Sequence, residues 1–81
     1  LIVMYVEDDD SIRNSLAGIL AKIFKEVIVC EDGAVGLEKF TSHTVEKKLK
    51  LNAVISDINM PNMNGIEMVK SIRVLDSEIP I

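Results

Sequence analysis

Cysteine occurs once in the 81 residues, as Cys30, so no internal disulfide can form and the chain reads as one suited to a reducing compartment, the cytoplasm. Long apolar runs are absent. The longest, Leu1 to Val6, falls far short of the ~20 residues that cross a bilayer, so no membrane segment is expected. No basic leader with a cleavage signature opens the chain. Leu1 falls directly inside an apolar run, and the segment reads as cut from a longer polypeptide. Positive charge is in deficit, with nine basic against 13 acidic residues and a net charge of -4. Lys47, Lys48 and Lys50 form the one basic cluster, which argues against direct nucleic-acid binding by this segment. Gly-rich phosphate loops and the Gly-x-Gly-x-x-Gly fingerprint are missing, so nucleotide binding has no support. No internal repeat or low-complexity tract appears.

What is present is globular composition, 48% apolar and 27% charged, in a length that supports one core at most. Leu1 to Val6 is a continuous β-prone run, the pattern of a strand buried on both faces of a parallel sheet. From Ser11, the residues Ile12, Leu16, Ile19, Leu20, Ile23 and Phe24 recur at helical spacing, predicting a helix capped by Asp10 or Ser11 and running to about Lys25. Val27 to Cys30 predicts a second strand, closed by Glu31-Asp32-Gly33. Leu37 and Phe40 then mark a second helix with Gly36 as a weak point, extended through the lysine-rich stretch Val45 to Leu51. Ala53 to Ser56 predicts a third buried strand ending at Asp57. A structured loop follows from Ile58 to Gly65, then a third helix with Ile66, Val69 and Ile72 inward. Glu78-Ile79-Pro80-Ile81 reads as the start of a fourth strand.

Strands alternating with helices make βαβ units, which require a parallel sheet with helices on both faces. Function in such sheets gathers at the carboxyl ends of the strands. Glu7, Asp8 and Asp57 fall at that edge, from two strands far apart in sequence. Carboxylates that converge repel one another unless a cation or proton resolves the charge, and an oxygen-rich site of this kind suits Mg²⁺. An aspartate beside such a cation is a credible nucleophile for a phosphoryl group.

Val6-Glu7-Asp8-Asp9-Asp10-Ser11-Ile12-Arg13 resembles the acid-pair signature of response-regulator receiver domains. Val54-Ile55-Ser56-Asp57-Ile58-Asn59-Met60-Pro61-Asn62-Met63-Asn64-Gly65 resembles their phosphoacceptor strand and loop, and Glu31-Asp32-Gly33-Ala34 their second turn. The resemblance covers residues 1–81 and implies a flavodoxin-like, doubly wound parallel sheet of strand order two-one-three-four-five. It implies a partial domain that holds three strands and the start of a fourth, and that ends before the family's switch threonine or serine and its lysine. It further implies that Asp57 accepts a phosphoryl group from a phosphohistidine of a sensor kinase or phosphotransfer protein and that the state is passed to an output domain or partner. Asp8 would hold Mg²⁺ directly, Glu7 partly through water, with Asp57 and the backbone carbonyl of Asn59 completing the set. The Asn59 side chain would face the phosphoryl pocket. Asn64 replaces the family's usual aspartate at a position expected to serve the turn.

Competing explanations are weaker. Acidic runs are commonly solvated helix starts, and Asp9 and Asp10 fit that role. A calcium loop from Asp57 fails, because Pro61 takes position five and no glutamate closes the loop. An aspartate-nucleophile phosphatase would place a second aspartate where Asn59 stands. His43 reads as solvent-exposed, Cys30 as a small buried residue, Met60 and Met63 as loop packing. Lys22, Lys39 and Lys70 lie on helices, and none is placed to replace the family's missing lysine. A pseudo-receiver that keeps the fold as an interaction platform without phosphate is the main alternative function. An exposed apolar edge on the third strand would also invite self-association as a dimer.

Overall fold

A computed structural model describes residues 1–57 and 64–81. The chain runs β1 (Ile2–Val6), α1 (Asp10–Ile23), β2 (Glu26–Cys30), α2 (Gly33–Phe40), β3 (Ala53–Ser56) and α3 (Gly65–Leu75). β1 lies between β2 and β3, parallel to both, with Tyr5 opposite Val29 on one side and Ile55 on the other. This is the two-one-three order of a flavodoxin-like sheet.

The continuous apolar run of β1 serves both faces of the sheet, and Val3 to Val6 are all 3% exposed or less. Met4 and Val6 face one way and pack with Phe40 of α2 and with Met68 and Ile72 of α3. Tyr5 faces the other way, and α1 lies over that side, its Ile12 and Leu16 bordering one cavity with Tyr5 and Ile55. Gly36 is more than a weak point in α2. A Cβ there would stand 2.7 Å from Met68 Sδ and 3.1 Å from Val6 Cγ2, so glycine is what lets α2 close down on β1 and α3.

Several local expectations change. The α1 cap is Asp9, whose Oδ1 accepts from the Ile12 amide at 2.9 Å, one residue before the predicted caps. α1 ends at Ile23, and its apolar stripe of Ile12, Leu16, Ile19 and Ile23 stays 41–67% exposed. The predicted extension of α2 continues only as a π-helical segment, Thr41–Glu46. There the Thr41 and Thr44 hydroxyls donate back to the Leu37 and Phe40 carbonyls at 2.9 and 2.8 Å, a bonding mode that loosens a helical ladder. Lys48 then takes a left-handed φ of 56° and turns the chain so that Lys50 O meets His43 Nε2 at 3.0 Å. His43 is therefore half-buried rather than solvent-exposed. In α3 the inward residues are Met68 and Ile72, while Ile66 is 53% exposed at the border of a cavity along β3. Residues 77–79 form a bend and not a strand, yet the Pro80 carbonyl accepts from the Val54 amide at 2.9 Å, a ladder-like bond on the outer side of β3.

Both ends of β1 are tied. At its start the Ile2 amide donates to Asn52 Oδ1 and the Asn52 amide donates to the Ile2 carbonyl, each at 2.8 Å. At its finish the Asp57 amide donates to the Val6 carbonyl and the Glu7 amide to the Cys30 carbonyl, each at 3.1 Å.

Candidate functional site

Those last two bonds carry the ladder one step past the strands and set Glu7, Asp8 and Asp57 side by side at the carboxyl edge of the sheet. One carboxylate oxygen from each lies within 4.8 Å of the other two. Glu7 is 8% exposed, whereas Asp8 and Asp57 are exposed. Its Oε2 accepts from the amides of Asp8 and Asp9 at 3.1 and 3.3 Å. Arg13 reaches back from the first turn of α1, its Nη1 donating to the Glu7 carbonyl at 3.0 Å and the Asp8 carbonyl at 3.4 Å while Nη2 pairs with Asp10. The β1–α1 turn is thus held from both sides, by side-chain acceptance of its amides and by guanidinium donation to its carbonyls.

Burial pushes the Glu7 carboxyl above its ordinary range; the Asp9 amide opposes the rise, and the nearby Asp8 and Asp57 add to it. Hard oxygen donors of one sign, gathered this closely, fit a small divalent cation that keeps part of its water. The carboxylates border a cavity of about 590 Å³ whose other walls are Tyr5, Ile12, Leu16, Ile55 and Ser56. Tyr5 was not legible as a site residue in the sequence, where it is one more apolar member of β1. The available signal was its position two before Glu7, which puts both on one face of the strand.

Asn59, Met60, Pro61 and Met63 lie outside the described residues. Asn64 caps α3, its Oδ1 accepting from the Glu67 amide at 2.9 Å, so it does serve the turn. Cys30 is 1% exposed, and burial pushes its thiol up to about 11, which makes it an unreactive core residue. Lys39 donates to the Val29 carbonyl at 2.9 Å on β2.

A parallel α/β sheet with carboxylates clustered where β1 and β3 end defines the class, and comparison with known proteins supplies the family. The family model described as response regulator receiver domain matches residues 3–81. The chain is 38% identical over 71 residues to the regulatory protein VanRB of Enterococcus faecalis, covering 88% of this chain and 30% of that protein. It is 34% identical over 83 residues to the chemotaxis protein CheY1 of Helicobacter pylori strain 26695, covering 98% and 62%. Among solved structures, the N-terminal domain of an uncharacterized protein from Wolinella succinogenes superposes with a TM-score of 0.84 at 32% identity, covering 98% of this chain and 59% of that one. Vibrio cholerae CheY4 superposes with a TM-score of 0.75 at 35% identity, covering 91% and 57%. The chain belongs to the response regulator receiver domain family, the signalling modules of two-component systems. It spans about a third of VanRB and about three-fifths of the CheY1 chain.

Proposed function

We propose that Asp57 is the phosphoacceptor of this receiver and that Glu7, Asp8 and Asp57, with the Asn59 carbonyl, hold Mg²⁺ beside it. The observation that carries the proposal is the meeting of three carboxylates from two strand ends within 4.8 Å, which is costly unless a cation is bound. An Asp57 carboxylate oxygen attacks the phosphorus of a phosphohistidine on a sensor kinase or phosphotransfer protein. The new P–O bond replaces the P–N bond, whose electron pair returns to the imidazole. Bound Mg²⁺ supplies neutralisation of charge on the phosphoryl oxygens. Arg13 and the amides of Asp8 and Asp9 fix the turn from which Glu7 and Asp8 reach the site.

Residues 1–81 are read as the N-terminal part of a receiver domain, consistent with their covering 57–59% of the two solved chains. The whole protein would act as a cytoplasmic signalling phosphoprotein that turns over only its own phosphoryl group. It would pass the phosphorylated state to an output domain or partner, as the size of VanRB relative to this chain suggests. The test is Mg²⁺-dependent labelling of the full-length protein by acetyl phosphate, or its binding of beryllofluoride, with Asp57→Asn as control. Labelling that disappears in the variant is the expected result. Wild type that neither takes label nor binds Mg²⁺ would make the chain a pseudo-receiver.

A further inference from the structure

Tyr5 is the one tyrosine of the chain. It is 3% exposed, and its hydroxyl is buried with no hydrogen-bond partner among the described residues. A buried hydroxyl left in that state is disfavoured, and native structures rarely keep one without a reason. Its surroundings narrow what the reason can be. The side chains of Ile12, Leu16 and Ile55 offer no acceptor, so the polar side chains that share the cavity with Tyr5 are Ser56 and the acids Glu7, Asp8, Asp9 and Asp57. Glu7 lies two residues along the same strand face, and its Oε2 is engaged by the turn amides, which leaves Oε1 for another donor. A phenol hydroxyl can donate and accept at once.

We propose that the Tyr5 hydroxyl is an outer-shell positioning group for the cation site, accepting a hydrogen bond from a cation-bound water and donating to the Glu7 carboxylate. The proposal rests on the Mg²⁺ reading of Glu7, Asp8 and Asp57. A hexacoordinate Mg²⁺ keeps several waters, each a strong donor that needs an acceptor, and the carboxylates that serve as ligands need donors to fix their orientation. A phenol bordering the same cavity meets both needs with one atom. Tyr5→Phe keeps the buried ring and removes only the hydroxyl, so it separates packing from positioning.

The experiment is calorimetric titration of Mg²⁺ alone into the full-length wild type and Tyr5→Phe proteins, with thermal melts of both in chelator and in saturating Mg²⁺. The expected result is an affinity about tenfold weaker in Tyr5→Phe, the lower end of what an outer-shell partner contributes. In chelator its melting midpoint should equal or exceed that of wild type, since no bond is lost there. Equal Mg²⁺ affinities in the two proteins would overturn the proposal and leave Tyr5 as a packing residue. A midpoint clearly lower in chelator would assign the hydroxyl to folding and overturn it too. Wild type that binds no Mg²⁺ would remove the metal reading and this proposal together, a result distinct from equal binding by both.

Discussion

The Asp57 amide donates to the Val6 carbonyl at 3.1 Å, and through that bond the first residue after β3 stands beside the first residue after β1. Asp57 and Glu7 are neighbours because the ladder runs one step longer than the strands do. Their proximity carries an electrostatic cost in the absence of a cation, and the first prediction concerns that cost.

Asp57→Asn removes one of three crowded carboxylates. In chelator the variant is expected to melt at or above the wild-type temperature, while the gain in stability on adding Mg²⁺ shrinks. Melts with and without Mg²⁺ check both halves, and a variant that melts lower in chelator would show that the crowding is not repulsive.

Glu7 has its carboxyl pushed up in the folded protein, chiefly by burial. A raised carboxylic acid contributes stability that is fully present below its unfolded value and lost as pH rises through the folded value. Without divalent cations, Glu7→Gln should therefore become more stable relative to wild type as pH rises above the ordinary value of 4.5, with the difference vanishing in acid. Denaturant unfolding of both proteins across that range reads the difference. A gap that narrows toward neutral pH would contradict the assigned sign.

Arg13 serves three acceptors, the carbonyls of Glu7 and Asp8 and the carboxylate of Asp10. Its side chain is 16% exposed and Asp10 is 84% exposed, so the carbonyl contacts matter more than the ion pair. Arg13→Ala is expected to cost about 1–2 kcal/mol and to weaken Mg²⁺ binding by loosening the turn. Arg13→Lys should recover only part of both, because an ammonium cannot span the fork. Full recovery by lysine would reduce the role to charge.

Gly36→Ala sets a helix-propensity gain of about 1 kcal/mol against overpacking that typically costs about 1–3 kcal/mol. With Met68 Sδ at 2.7 Å and Val6 Cγ2 at 3.1 Å from the added methyl, the steric term should win. Chemical denaturation should show a net loss of about 1 kcal/mol; a stabilised variant would mean that Met68 swings aside freely.

Cys30, 1% exposed and with its thiol pushed up to about 11, should resist a maleimide at neutral pH until the protein is unfolded. Labelling timed against denaturant reads this directly.

Strand identities and the convergence of the acids were legible because each rests on a simple pattern: the buried run before Glu7, the run before Asp57, and the alternation of strands with helices that makes the strands parallel and so puts their ends on one edge. Where tertiary contact decides, the pattern gave less. Met68 rather than Ile66 faces inward, since α3 is rotated to seat Met68 against Gly36, and nothing in the spacing of α3 alone reveals that rotation. Asp9 takes the cap while Asp10, already inside the helix, pairs with Arg13. The π-helical segment depends on two threonine back-bonds and a left-handed Lys48, choices that periodicity does not encode. Tyr5 looked like core because, by burial, it is core. Only its hydroxyl and its phase with Glu7 distinguish it.

Asn52 stands at the opposite end of the sheet from the acids, where its side chain and its amide both grip Ile2 at 2.8 Å. A slip of β3 by one residue would turn every side chain to the other face and bring Ser56 to the place of Asp57 beside Glu7. The double grip of Asn52 on Ile2 forbids that slip. Asn52 thus acts as an alignment pin, by which a residue the length of a strand away from the acids determines which side chain stands beside Glu7.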